Sequence, residues 1–189
     1  MGKLIAELVL LVALPSVTLV SGAWLMSQLS RREYTLQRLE RLSPEDRQPL
    51  YRRFAYDRAL VIRQWDALDE TALRHEQEFL RLDLVFPLLY GGALAFSLFM
   101  ASAMLGLGSK GGWVIAPALI TVLADWTENL VQLGQLKLYQ TKGGAELQAG
   151  WIQIASLATS LKLVSSIAAS LVLVLMVILI IRSGGQASY

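Results

Sequence analysis

Four apolar stretches constrain this chain more than anything else in it: residues 4–26, 82–105, 113–133 and 151–181. Each reaches the ~20 residues that a helix rising ~1.5 Å per residue needs to cross the hydrocarbon of a bilayer. The fold class expected is all-α: a four-transmembrane-helix bundle, with one amphipathic helical insertion between helices 1 and 2. Composition agrees, since 54% of the 189 residues are hydrophobic and 17% are charged, against ~25% charged in a soluble domain.

The composition also excludes chemistry. There is no cysteine and a single histidine, His75, so disulfides, thiolate catalysis and a multi-histidine metal site within one chain are out of reach. A net charge of +2 singles out no partner class. No Ser–His–Asp arrangement, zincin motif or nucleic-acid motif is present, and no nucleic acid is expected. The Gly-rich run at 106–112 lacks the strand–helix setting of a phosphate loop.

Residues 4–26 exceed the ~7–15-residue apolar core of a signal peptide. They reach Trp24 and are followed by Arg31 and Arg32, as an interfacial anchor is. The segment therefore reads as a retained span, kinked at Pro15, with Glu7 one turn from Lys3 near the membrane edge. The organisation that follows is an anchor at 1–28, a soluble amphipathic helical region at 29–81 and a three-helix transmembrane region at 82–189. The 31-residue fourth segment must tilt or extend beyond the hydrocarbon. The short connections at 106–112 and 139–150 make helices two, three and four antiparallel neighbours.

Residues 27–81 hold 11 arginines of the chain's 17 basic residues. Ser43 followed by Pro44 reads as an N-cap with proline at the first helical position. Phe54, Val61, Trp65, Leu68, Ala72 and Phe79 then recur at helical spacing, as the stripe of an amphipathic helix does. Such a hairpin packs on itself, on a protein partner through residues 43–79, or along a coiled-coil seam. His75, on the same stripe, reads as a buried, hydrogen-bonded side chain. Basic-residue bias makes residues 29–81 cytoplasmic and both termini external.

The third span carries the sharpest lead. Asp125, Glu128, Asn129 and Gln132 fall at i, i+3, i+4 and i+7 and share one helical face. With the span centred near Leu123, Glu128 lies about 7–8 Å from the midplane. A carboxylate there must face protein or water, be paired, or be protonated. Lys162, about 6 Å from the centre of the fourth span on the same side, is the cation placed to pair with Glu128 or Asp125. Ser156, Thr159, Ser160, Ser165 and Ser166 keep that helix slim enough for close approach. On the second span, Asp83 and Tyr90 lie seven residues apart and can face the same level, with Arg81 nearby. Gly91 and Gly92 permit close helix contact, and Pro87 lies in the first turns.

This set allows three kinds of chemistry. Asp125 and Glu128 are the candidate acid–base residues. Asp83, Tyr90, Asn129, Gln132 and Lys162 are the candidate substrate-binding residues, with Arg81 also in reach of a phosphate. A divalent ion on Asp83, Asp125 and Glu128 is a further option, although neither a metal nor any other cofactor is assigned. The remaining readings are an ion pathway and an ion-pair network that only sets helix register.

The stretches "LDLVFPLLYGGALA" (82–95) and "LADWTENLVQL" (123–133) resemble a pattern in small multi-pass bacterial membrane proteins of unknown function. They are also distantly similar to VanZ-like membrane proteins, with Asp83, Tyr90, Glu128 and Gln132 at the matching positions. The resemblance spans about 50 residues, and Phe86 or Pro87 stands where the VanZ-like pattern carries a histidine. It implies a bacterial inner-membrane protein with a lipid- or envelope-related substrate. The function expected is thus an integral membrane protein that binds or processes a lipid-like molecule. The alternative is a non-enzymatic scaffold or accessory subunit of a membrane complex.

Overall fold

A computed structural model describes residues 2–186, and the surroundings of side chains from 5 to 183. The Glu7–Lys3 pairing therefore falls on a side chain outside the described residues. The described residues form helices and no strands. In order they are α1 (Gly2–Leu29), α2 (Arg32–Leu39), α3 (Arg58–Asp66), α4 (Glu70–Leu82), α5 (Phe86–Met104), α6 (Gly111–Val114), α7 (Ala116–Lys142) and α8 (Ala149–Gln186).

Among the described residues, four helical segments are long and apolar enough to cross a membrane: α1, α4 with α5, α6 with α7, and α8. Their apolar side chains are largely turned outward, as Val9, Val20, Leu89, Phe99, Leu123, Leu157 and Leu175 are. An apolar surface this extensive suits hydrocarbon and not water. α1 is helical through Pro15. The Ser16 and Thr18 hydroxyls bond back to the Val12 and Leu14 carbonyls near that position.

α7 packs most extensively on α8, and α5 touches both. Gly91 sets the α5–α7 approach, because a Cβ there would collide with Val122 Cγ2, whereas one at Gly92 would meet nothing within 4 Å. A hydroxyl pair, Thr121 with Ser165 at 2.8 Å, ties α7 to α8 in the same layer. α7 ends at Gly143, whose φ of 84° lets its N–H return to the Tyr139 carbonyl.

The segment between α1 and α5 departs from the expected hairpin. Ser43 caps no helix; its carbonyl accepts from the Asp46 and Arg47 N–H groups in a turn. Pro49 bars Gln48 from helical geometry, so a helix begun at Pro44 has too few residues to propagate. Phe54 lies in irregular chain and is 59% exposed. The real helix starts are Asp57 and Asp69, whose carboxylates accept from the Leu60 and Ala72 N–H groups.

Val61, Trp65, Leu68 and Ala72 are buried, in one core with Leu136 of α7 and Ile152 and Ala155 of α8. The stripe is thus covered within the chain by the ends of α7 and α8. His75 packs edge-on against Tyr34, and its buried Nδ1 has no hydrogen-bond partner, so the expected bond does not form.

Candidate functional site

The polar face of α7 is buried throughout, with Asp125, Glu128, Asn129 and Gln132 each at most 5% exposed. One helix explains why they share a level: their spacing advances about two turns along the same side. Lys162 comes from α8, which runs antiparallel against them. Both expected pairs form. The Lys162 ammonium donates to Asp125 Oδ1 at 3.0 Å and to Glu128 Oε2.

Every remaining carboxylate oxygen of the pair meets a neutral donor. Tyr90 Oη donates to Asp125 Oδ2 at 2.8 Å, and Asn129 Nδ2 to Asp125 Oδ1 at 3.2 Å. Gln132 Nε2 donates to Glu128 Oε1 at 3.1 Å. This is the condition under which a buried ion pair is tolerated.

Asp83 is reached by a different route from the one its sequence position suggests. It is not on the helix of Tyr90 but ends α4, one turn before α5 begins with Pro87 in its first turn. Two side chains of α7 hold that turn. Asn129 Nδ2 donates to the Asp83 carbonyl at 2.9 Å, and Trp126 Nε1 to the Leu84 carbonyl at 2.8 Å. Pro87 therefore starts a helix, where its missing N–H costs nothing, and does not kink one.

A cleft of about 290 Å³ opens beside this network. Asp83, Tyr90, Asp125 and Lys162 line it, while Glu128, Asn129 and Gln132 do not. Glu128 is fully enclosed, so it acts on the cleft only through Lys162. Arg81 is exposed and also lies outside the lining. Apolar side chains also line it: Leu19, Ala23 and Met26 of α1 with Phe86 of α5 and Leu163 of α8. Gly22 lets α1 approach, since a Cβ there would collide with the Phe86 ring. The divalent-ion option does not form: among the described residues no three metal-ligating side chains converge, and an ammonium stands between Asp125 and Glu128.

Three residues of this site were not foreseen. Arg32, 3% exposed, lines the cleft over the Phe79 and Tyr51 rings, 4.2 and 5.0 Å from their centroids. It is paired to Glu76, and burial holds its guanidinium below the ordinary value. Arg52, on the same lining, lies 5.3 Å from the Tyr51 ring centroid.

Tyr56 backs the network from the surface layer. Its hydroxyl accepts from Gln132 Nε2 at 3.0 Å and its N–H donates to Ser156 Oγ at 2.9 Å. Burial, and then the Glu128 charge, push its phenol above the ordinary value, so it remains neutral. The one local signal for Arg32 was its place just past the first span; Tyr56 gave none.

Comparison with protein-family models, with curated proteins and with solved structures finds no match to this chain.

Proposed function

We propose that this chain is a multi-pass membrane protein whose cleft takes the headgroup of a lipid-like amphiphile and leaves the tail against α1. The observation that carries this reading is the composition of the cleft wall. Charged and phenolic groups (Asp83, Asp125, Lys162 and Tyr90) and apolar residues of α1, α5 and α8 line the same cleft. A small polar solute has no use for the apolar part, and a plain hydrocarbon has none for the polar part.

Asp125 is the carboxylate on the lining that also touches Lys162 and Tyr90, and is the group placed for proton transfer to a bound headgroup. Glu128 serves as a positioning residue, fixing Lys162 from behind. The Arg-rich layer above the cleft is assigned to the cytoplasmic side by the basic-residue bias. The bacterial inner membrane and an envelope-related substrate rest on the VanZ-like resemblance.

The test is lipid retention by the purified full chain in a mild detergent, read by native mass spectrometry. Ala23→Trp fills the cleft from the exposed face of α1 and should remove bound lipid. Asp125→Asn should weaken binding severalfold. Equal retention by wild type and Ala23→Trp removes the cleft from the function.

A further inference from the structure

We infer that the cleft selects a phospholipid with an ammonium-bearing headgroup, its phosphate held at Arg32 and Arg52 and its ammonium at Asp83. The inference rests on the amphiphile reading above and names the head. The argument is one of charges left over once the internal pairs are made.

On the cationic side, Arg32 is fixed by Glu76 through Nη1 and by the two rings, yet its buried Nε–H has no acceptor. Arg52 lines the same cleft and forms no ion pair among the described residues. Two guanidinium groups with donors to spare, one of them immobilised, match a phosphate better than a carboxylate already present in the chain does. On the anionic side, Asp83 lines the cleft at 6% exposure and forms no ion pair among the described residues. The nearest ammonium, that of Lys162, is committed to Asp125 and Glu128. What remains is two guanidinium groups and one unpaired carboxyl on a single lining, the complement of a zwitterion.

The tail has a path as well. A second cavity, about 160 Å³, shares Leu19, Tyr90 and Ser166 with the cleft and continues between α1, α5 and α8 past Leu94 and Leu173. A free phosphoethanolamine leaves this track empty; a lipid fills it. A phosphoglycerol head carries the phosphate but brings no cation to Asp83, so it leaves that carboxyl without a partner.

The experiment is competition by native mass spectrometry, using the purified full chain. Phosphatidylethanolamine and phosphatidylglycerol with identical acyl chains are offered in equal amounts, with and without free phosphoethanolamine. Wild type should retain the ethanolamine lipid about tenfold over the glycerol lipid, the size of effect expected from one well-placed charge contact. Asp83→Asn, nearly isosteric, should bring the two lipids within about twofold by losing the ethanolamine preference, and Arg52→Gln should weaken both.

Equal retention of the two lipids by wild type, with both lost in Ala23→Trp, overturns the headgroup assignment and leaves the cleft reading standing. Retention unaffected by Ala23→Trp overturns the cleft reading itself. Displacement of lipid by free phosphoethanolamine at equal concentration overturns the lipid as the source of the head. The wild-type comparison decides the question even where Asp83→Asn does not fold.

Discussion

Replacing Lys162 with methionine tests whether the α7–α8 network holds the helices together. The side chain is 12% exposed, and its partners are 4% (Asp125) and 0% (Glu128) exposed. Methionine fills nearly the same volume, so the loss is electrostatic. Gln132 still donates to Glu128, and Tyr90 and Asn129 to Asp125, but no cation remains between two carboxylates shut from water. Breaking one side of such a buried pair costs about 3–5 kcal/mol.

The assay is reversible unfolding of the micellar protein in increasing SDS, followed by far-ultraviolet circular dichroism. Arg74→Ala is the reference, because its pair with Glu70 is 73% and 90% exposed; such a change stays within ~0.5 kcal/mol. Adding Glu128→Gln to Lys162→Met should recover part of the loss, with a coupling of about 1–3 kcal/mol in the cycle. A Lys162→Met cost no larger than that of Arg74→Ala would refute the reasoning. So would a cycle that closes to within ~0.3 kcal/mol.

Three further outcomes follow from single contacts. Gly91→Leu should destabilise by about 1–3 kcal/mol through overpacking against Val122, while Gly92→Leu should be close to neutral; the same SDS titration compares them. Trp126→Phe removes the bond to the Leu84 carbonyl. It should cost about 0.5–1.5 kcal/mol and loosen lipid retention by freeing the turn that carries Asp83.

Acid should act first on the surface helices. The Ala72 N–H, and then the Tyr34 hydroxyl, hold the Asp69 carboxyl below its ordinary value. A folded value below the unfolded one gives stability that is complete above about pH 4 and is lost as pH falls through the folded value. Circular dichroism between neutral pH and pH 2 should show this loss in wild type, and a shallower one in Asp69→Asn.

The parts of the molecule that could be read from the sequence are those whose signal is local. Apolar run length marks the four long helices, and the 3.6-residue period puts Asp125, Glu128, Asn129 and Gln132 on one face. Depth counted from each span's centre then brings Lys162 level with them. The surface layer yields to no such reasoning. Tyr56 meets Gln132 and Ser156 across 76 and 100 residues, and Arg32 meets Glu76 across 44. No spacing rule links such positions. The Ser43–Pro44 pair misled because a cap signal was weighed without the proline at position 49 that ends what the cap would begin. Asp83 does line the cleft with Tyr90, but from the turn after α4 and not as a seventh residue along one helix.

The α1 wall carries a consequence for traffic through the site. α1 lies along α5, anchored where Gly22 meets Phe86, with no extensive contact to α8. Only 6% of its apolar window is buried. On the proposed amphiphile reading, the seam between α1 and α8, where the two cavities meet, is the side door of the protein, facing hydrocarbon and not water. A guest entering there slides in from its own leaflet with its tail never wetted. Its exchange rate then follows the fluidity of the surrounding bilayer more than its concentration in solution.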